Sequence, residues 1–246
     1  MAVPFLDVTA QYRALQAEIE KALLDVARSG RYILGERGAA LEKALAAYAD
    51  VPYAVGCASG TDALILALRA AGVGPGHEVI TTAYSFFATA SCISLVGATP
   101  VFVDIDPRTY NIDAAQVERR ITVRTKAIIP VHLYGQPAEM DPLLALSREW
   151  GITIIEDACQ AIGAEYKGRR VCAIGQIGCV SFYPTKNLSG MGDGGMAFTS
   201  DPAHFEKLRV LREHGARPRY VYTVLVSHRR PHDLQTAVLP VHGQRA

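Results

Sequence analysis

Seven short runs, rich in apolar and β-branched residues and separated by stretches of helical periodicity, leave this chain few ways to fold. They are Ala54–Cys57, Glu78–Thr81, Pro100–Asp104, Ala127–Val131, Thr153–Glu156, Cys179–Phe182 and Gly195–Thr199. Most are apolar throughout rather than alternating, so both faces of each strand need cover. Continuous apolar strands interleaved with helices predict an α/β fold, a mostly parallel seven-stranded sheet held between helices. The pattern between the runs near 180 and 197 reads as a hairpin, which sets one strand antiparallel. Two helices precede the alternation. Asp7 or Thr9 can cap the first, which carries Tyr12, Leu15, Ile19, Leu23 and Val26 on one face and runs to Ser29. The second spans about Arg37 to Ala49.

Bulk composition narrows the class of function. Hydrophobic residues are 50% of the 246 and charged residues 20%, the balance of a soluble globular protein with one large core. A net charge of +1 gives no reason to expect nucleic acid or an anionic membrane as partner. No apolar run reaches membrane length. The stretch MAVPFLDVTAQYRAL lacks the basic-then-apolar pattern of a signal peptide, and a cytoplasmic location is expected. Cys57, Cys92, Cys159, Cys172 and Cys179 form no CxxC pair and read as free buried thiols in a reducing compartment.

The chemistry concentrates beyond the ends of the strands, where ligands bind in open parallel sheets. Asp157 follows the run Ile152 to Glu156, and Glu156 should point to the opposite face. Lys186 lies 29 residues further on, in SFYPTKNLSGMGDGG, between an apolar run and a glycine cluster. An acid past one buried strand and a lysine past another suit pyridoxal phosphate. The lysine can carry the aldehyde as a Schiff base while the acid keeps the pyridine nitrogen protonated. Phe182, Tyr183 and Leu188 are expected to make the lysine's surroundings apolar. Considered alone, a lysine in a glycine-rich loop is usually a solvated surface residue. Ser59, Gly60, Thr61 and Asp62 sit where a strand runs directly into an amphipathic helix, whose free N–H groups and dipole attract phosphate. The dipole contributes about 0.3–1 kcal/mol, so the hydroxyls of Thr61 and Ser181 are needed for specificity. Ser59 can equally be a plain helix cap. An aromatic in Tyr84-Ser-Phe86-Phe87 can stack on a pyridine ring, although a core aromatic is the commoner occurrence.

Other patterns point away from function. The glycines at 190, 192, 194 and 195 do not join a strand to a helix and are not a dinucleotide fingerprint. Asp104 and Asp106 precede Pro107 and read as a turn. His132 has no second histidine at ligand spacing, so a hydrogen-bonded histidine near the sheet edge is expected rather than a metal site.

With these residues assembled, the chain resembles the DegT/StrS-type family of pyridoxal-phosphate nucleotide-sugar aminotransferases. The likeness rests on GRYILG at 30–35, ASGTDAL at 58–64, VFVDIDPRTYNID at 101–113, AIIPVHLYGQ at 127–136, EDACQAIGA at 156–164 and the stretch 181–195, and extends from Pro4 to about Arg219. It implies a fold type I large domain and a homodimer with shared active sites. It further implies Lys186 as the cofactor-bearing lysine, Asp157 at the pyridine nitrogen and Gln160 near the phenolic oxygen. Phe86 is then the ring that stacks, and Gly60, Thr61 and Ser181 hold the phosphate. The implied reaction moves an amino group from an amino acid, usually glutamate, to a keto group of a nucleotide-linked sugar. The DIDPRTYN and GDGG segments resemble most those enzymes that aminate 3-keto sugars.

The end of the sequence departs from the family. After Glu213 the sole acid is Asp233, whereas Arg217, Arg219, Arg229, Arg230 and Arg245 are basic and His214, His228, His232 and His242 are histidines. This reads as a solvated basic tail or as a sequence out of its native frame. The family motif YNxRLxxLQAAxL is echoed by Arg230, Leu234, Gln235, Ala237 and Leu239, but His228 replaces the asparagine that reaches a neighbouring subunit's phosphate, and Pro231 should disturb the helix start. The expected division is residues 1–213 for the N-terminal helices and large domain, with 214–246 a degenerate start of a small C-terminal domain that is largely missing. Weak or absent turnover is expected of such a truncated homologue.

Overall fold

The computed structural model describes residues 6–215 and 229–243. Helix α1 (Val8–Ser29) is capped by Asp7, whose carboxylate accepts the Thr9 N–H at 3.0 Å, and it stops at Gly30 in the left-handed conformation. Leu15, Ile19, Ala22 and Val26 are its buried stripe, while Tyr12 and Leu23 are only partly covered. Helix α2 (Glu36–Tyr48) follows a short bend, one residue from the expected bounds at each end.

The alternating region then gives β1 (Tyr53–Cys57), α3 (Gly60–Ala70), β2 (Glu78–Thr82), α4 (Ala88–Leu95), β3 (Thr99–Val103), α5 (Ala114–Arg120) and β4 (Thr125–Ile129). It continues as α6 (Met140–Trp150), β5 (Thr153–Asp157), β6 (Glu165–Tyr166), β7 (Arg169–Arg170), β8 (Ile177–Ser181), β9 (Gly195–Thr199) and α7 (Pro202–Arg212). All seven expected strands join one sheet in the order β1-β9-β8-β5-β4-β2-β3. Strand β9 runs antiparallel to both β1 and β8, as the hairpin pattern requires, and the other pairings are parallel. The β6–β7 hairpin was not expected. Its strands are two residues long, too short for a periodicity, and Lys167 and Gly168 both take positive φ in the tight turn between them.

The sheet is covered on both faces because neighbouring residues of each strand feed different cores. Ile80, Ile128, Ile154 and Phe198 pack with α2 and α6, whereas Val79, Ala127, Ile129 and Ile155 pack with α3, α4 and α7. That division is why the strands read as continuous apolar runs. Beyond the sheet, α8 (Asp233–Gly243) lies on α1, with Ala237 and Val238 against Leu15, Ile19, Ala22 and Val26. Pro231 precedes α8 rather than breaking it. His228, Arg217, Arg219 and Arg245, on which part of the tail argument rests, lie outside the described residues.

Candidate active site

The carboxyl ends of β1, β2, β5 and β8 open on one cavity of about 490 Å³, and Gly60, Thr61, Phe86, Asp157, Gln160, Ser181 and Lys186 all line it. Residues separated by up to 126 positions meet there because parallel strands deliver their ends to one edge.

Asp157 closes β5 and is 5% exposed. Its Oδ2 accepts the Thr89 hydroxyl at 2.8 Å and its Oδ1 accepts the Cys159 N–H at 3.2 Å, so the buried carboxylate is held at both oxygens. Glu156 points to the opposite face, as the period of a strand demands. It is fully buried and accepts the N–H groups of Cys172, Ile174 and Gly175 at 3.0, 2.9 and 2.7 Å. His132 Nε2 is 2.9 Å from the same carboxylate, and its Nδ1 accepts the Ala138 N–H. An accepting Nδ1 fixes the tautomer with hydrogen on Nε2, which therefore donates to Glu156. This histidine is hydrogen-bonded, as expected, but it follows β4, an interior strand, rather than lying near the sheet edge. Among the described residues no cluster of acids, histidines and cysteines could hold a metal ion.

Lys186 is half-buried on the loop between β8 and β9, where its N–H closes a turn onto the Tyr183 carbonyl at 2.8 Å. Two further bonds pin the loop: Phe182 N–H to the Gly194 carbonyl and Gly190 N–H to the Phe182 carbonyl, at 2.8 and 2.7 Å. Its far side is tied to the terminal helices. Gln235 donates to the Met191 carbonyl, His242 Nδ1 meets the Ser189 carbonyl at 2.6 Å, and Ser189 meets Gln11 of α1. Of the three residues expected to make the lysine's surroundings apolar, two lie elsewhere. Phe182 and Leu188 are buried, but they turn away from Lys186 into the core with α2 and α6, and Tyr183 alone of the three lines the cavity. Alternation along an extended segment puts Phe182 on the face opposite Ser181.

Another part of the cavity wall is the start of α3. Ser59 caps it, its hydroxyl accepting the Asp62 N–H at 3.1 Å, so its side chain is the ordinary cap. Gly60 and Thr61, whose N–H groups have no partner within the helix, line the cavity together with Ser181. Arg229 pairs with Asp62 behind that turn, and its carbonyl accepts the Ala58 N–H. Gly60 allows the close approach: a Cβ there would stand 2.6 Å from the Ser181 Cβ and 3.1 Å from the Cys159 Sγ. Phe86 is 67% exposed at the mouth, free to cover a planar ligand. Gln160 accepts the Tyr134 N–H at 3.1 Å, which binds it to a loop whose Tyr134 is held at φ 54°.

Two charges bear on the thiol of Cys159. Burial pushes it well above the ordinary range, Asp157 adds to the rise, and Lys186 opposes it. The thiol stays neutral. Sequence reasoning missed the roles of Thr89 and Ser85. The available signal was a pair of hydroxyl residues four positions apart, Ser85 just ahead of α4 and Thr89 in its first turn.

A helix N-terminus with hydroxyls, a buried carboxylate, a lysine and a close approach that glycine permits, all lining one cavity, fit a phosphorylated aromatic aldehyde. The cavity volume is of the size that encloses such a ligand.

The model of the DegT/DnrJ/EryC1/StrS aminotransferase family matches residues 13–245. The chain is 53% identical over 241 residues, 98% of its length and 65% of the relative's, to the "pleiotropic regulatory protein" of Geobacillus stearothermophilus. It is 48% identical over 238 residues, 97% of its length and 64% of the relative's, to a UDP-N-acetyl-3-dehydro-alpha-D-glucosamine 3-aminotransferase of Acidithiobacillus ferrooxidans. It thus spans a little under two thirds of these relatives. Among solved structures, S. venezuelae DesV superposes with a TM-score of 0.95 at 45% identity, over 98% of this chain and 65% of that one. NtdA of Bacillus subtilis with bound cofactor PMP superposes with a TM-score of 0.91 at 32% identity, over 98% of this chain and 55% of that one.

Proposed function

This chain belongs to the DegT/DnrJ/EryC1/StrS aminotransferase family, and on that premise we propose that its cavity takes pyridoxal 5'-phosphate and serves transfer of an amino group from an amino acid to a keto group of a nucleotide-linked sugar. The observation that carries the reading is the meeting of Lys186, Asp157 and the α3 N-terminus in one cavity. Glutamate is the proposed donor. A 3-keto sugar is the proposed acceptor, in line with the substrate that the Acidithiobacillus relative's name describes. A homodimer is the proposed assembly.

When bound, the cofactor supplies an electron sink for the carbon that gains or loses nitrogen. The protein's share is binding, orientation and proton traffic. The first-turn N–H groups of α3, with Thr61 and Ser181, would hold the phosphate. Asp157 would keep the pyridine nitrogen protonated, Gln160 would face the phenolic oxygen and Phe86 would cover the ring. Lys186 would hold the aldehyde through its amine and would serve as the acid–base that moves a proton at the substrate carbon.

Borohydride reduction of the chain mixed with pyridoxal phosphate, followed by peptide mapping, tests this. Mass should be added at Lys186 and nowhere in a Lys186→Ala variant; an unmodified Lys186 would sink the proposal. A second reading, a homologue that binds cofactor without turnover, is favoured by the open mouth at which Phe86 stands 67% exposed. It predicts the same adduct but no shift of the bound cofactor to its amino form on adding glutamate.

A further inference from the structure

The hydroxyls of Ser85 and Thr89, on the approach to and first turn of α4, form a chain that ends on Asp157. Thr89 is 1% exposed and stands 2.8 Å from Asp157 Oδ2, and Ser85 Oγ stands 2.8 Å from Thr89 Oγ1. The directions follow from counting protons. An ionised carboxylate only accepts, so the single Thr89 proton goes to Asp157, and Thr89 can then only accept from Ser85. The chain therefore runs from Ser85, which lines the cavity, through Thr89 to the carboxylate. Thr89 is buried, so its hydroxyl has no solvent to turn to, and its backbone carbonyl accepts the Cys92 thiol.

We propose that Thr89 is a positioning residue: its hydroxyl, backed by Ser85, fixes the rotamer and the charge of Asp157 so that one carboxylate oxygen faces a protonated ring nitrogen. This rests on the reading of Asp157 as the partner of that nitrogen. Besides Thr89, the carboxylate is served by Cys159, through its N–H at 3.2 Å and through its thiol, which is a weaker donor than a hydroxyl. Losing the Thr89 hydroxyl would leave the buried Oδ2 without its hydroxyl donor and favour the protonated acid. The titratable groups around Asp157 are Cys92 on α4, Cys159, Cys172, Cys179 and Lys186. Burial pushes all four thiols up, so they stay neutral through the working range and bring no charge to Asp157.

The test uses the full chain and three variants, Thr89→Val, Thr89→Ser and Asp157→Ala. Pyridoxal phosphate affinity is read by equilibrium dialysis, and protonation by the pH midpoint of the bound cofactor's visible band. A hydrogen bond to a charged group accounts for the size of effect expected: Thr89→Val binds the cofactor about tenfold or more weakly and its band midpoint moves, while Thr89→Ser keeps both near the parent values. If Thr89→Val matches the parent in both readouts while Asp157→Ala binds weakly, Asp157 stands as the partner and the positioning role falls. If Thr89→Ser is as impaired as Thr89→Val, the effect is packing and the role falls too. If Asp157→Ala binds as the parent does, the reading of Asp157 itself is wrong. Should Thr89→Val fail to fold, Ser85→Ala takes its place, and an unmoved band midpoint there overturns the proposal.

Discussion

Single residues hold this site by what they exclude as much as by what they contribute. At Gly60 a methyl group would press within 2.6 Å of the Ser181 Cβ, where the start of α3 meets the end of β8. Gly60→Ala should cost about 1–3 kcal/mol of stability from overpacking, and weaken cofactor binding more than it lowers the melting temperature. Calorimetry and dialysis on the same preparation separate the two. A second residue makes a pH argument. Asp7 is drawn down from 3.8 to about 2 by the Thr9 hydroxyl, then by Arg13. A depressed folded value means stabilisation that is complete above 3.8 and lost as pH falls through about 2. Asp7→Asn keeps a capping side chain but no charge. Its deficit in melting temperature should be present at neutral pH and vanish over that acid window; a constant deficit would show the charge to be idle. Of the residues at the site, Asp157, Lys186 and the α3 start were legible from their places after apolar runs. Thr89 was not, since a hydroxyl on a buried helix face looks identical in sequence whether it meets a carboxylate or its own backbone.

At the scale of elements, the terminal helices act as a clamp on the lysine loop. Helix α1 buries a stripe against α8, and both reach over to the loop through Gln11, Gln235 and His242. Ile19 is fully buried in that contact. Ile19→Ala should destabilise the fold by about 2–5 kcal/mol, and in native-state hydrogen exchange the amides of the 183–191 loop should open sooner than those of β4 or β5. Uniform acceleration across the sheet would show that α1 supports the whole fold rather than the loop. The helices and strands were readable because their periods are long and regular. The loop's outward ties were not, because they join side chains such as Ser189 and Gln11 that no periodicity relates. The same blindness misplaced Phe182 and Leu188, whose apolar character was plain but whose facing depended on the register of β8.

For the molecule as a whole, the seven-stranded sheet presets the cavity before any ligand arrives. Mass action then sets the effect of pyridoxal phosphate: about 2.7 kcal/mol of added stability at a hundredfold excess over the dissociation constant. The melting temperature should climb with the logarithm of cofactor concentration and should do so less steeply for Lys186→Ala. A flat response would mean that native and unfolded chains bind alike. The overall architecture was the most legible level of all, because an all-apolar strand admits few environments. How the last residues pack was the least legible, since α8 follows a proline and a basic stretch that together signal a loop.

Strand β9 has a mechanical corollary. It runs against its neighbours, and its first residue, Gly195, lies so close to the Ser59 carbonyl that no Cβ could be accommodated. The segment bearing Lys186 thus ends against the first turn of α3, and the lysine and the proposed phosphate site are riveted by one short piece of backbone. Such a seat is stiff by birth: the entropy of arranging it is surrendered once, when the chain folds, and is not demanded again at each encounter with a ligand.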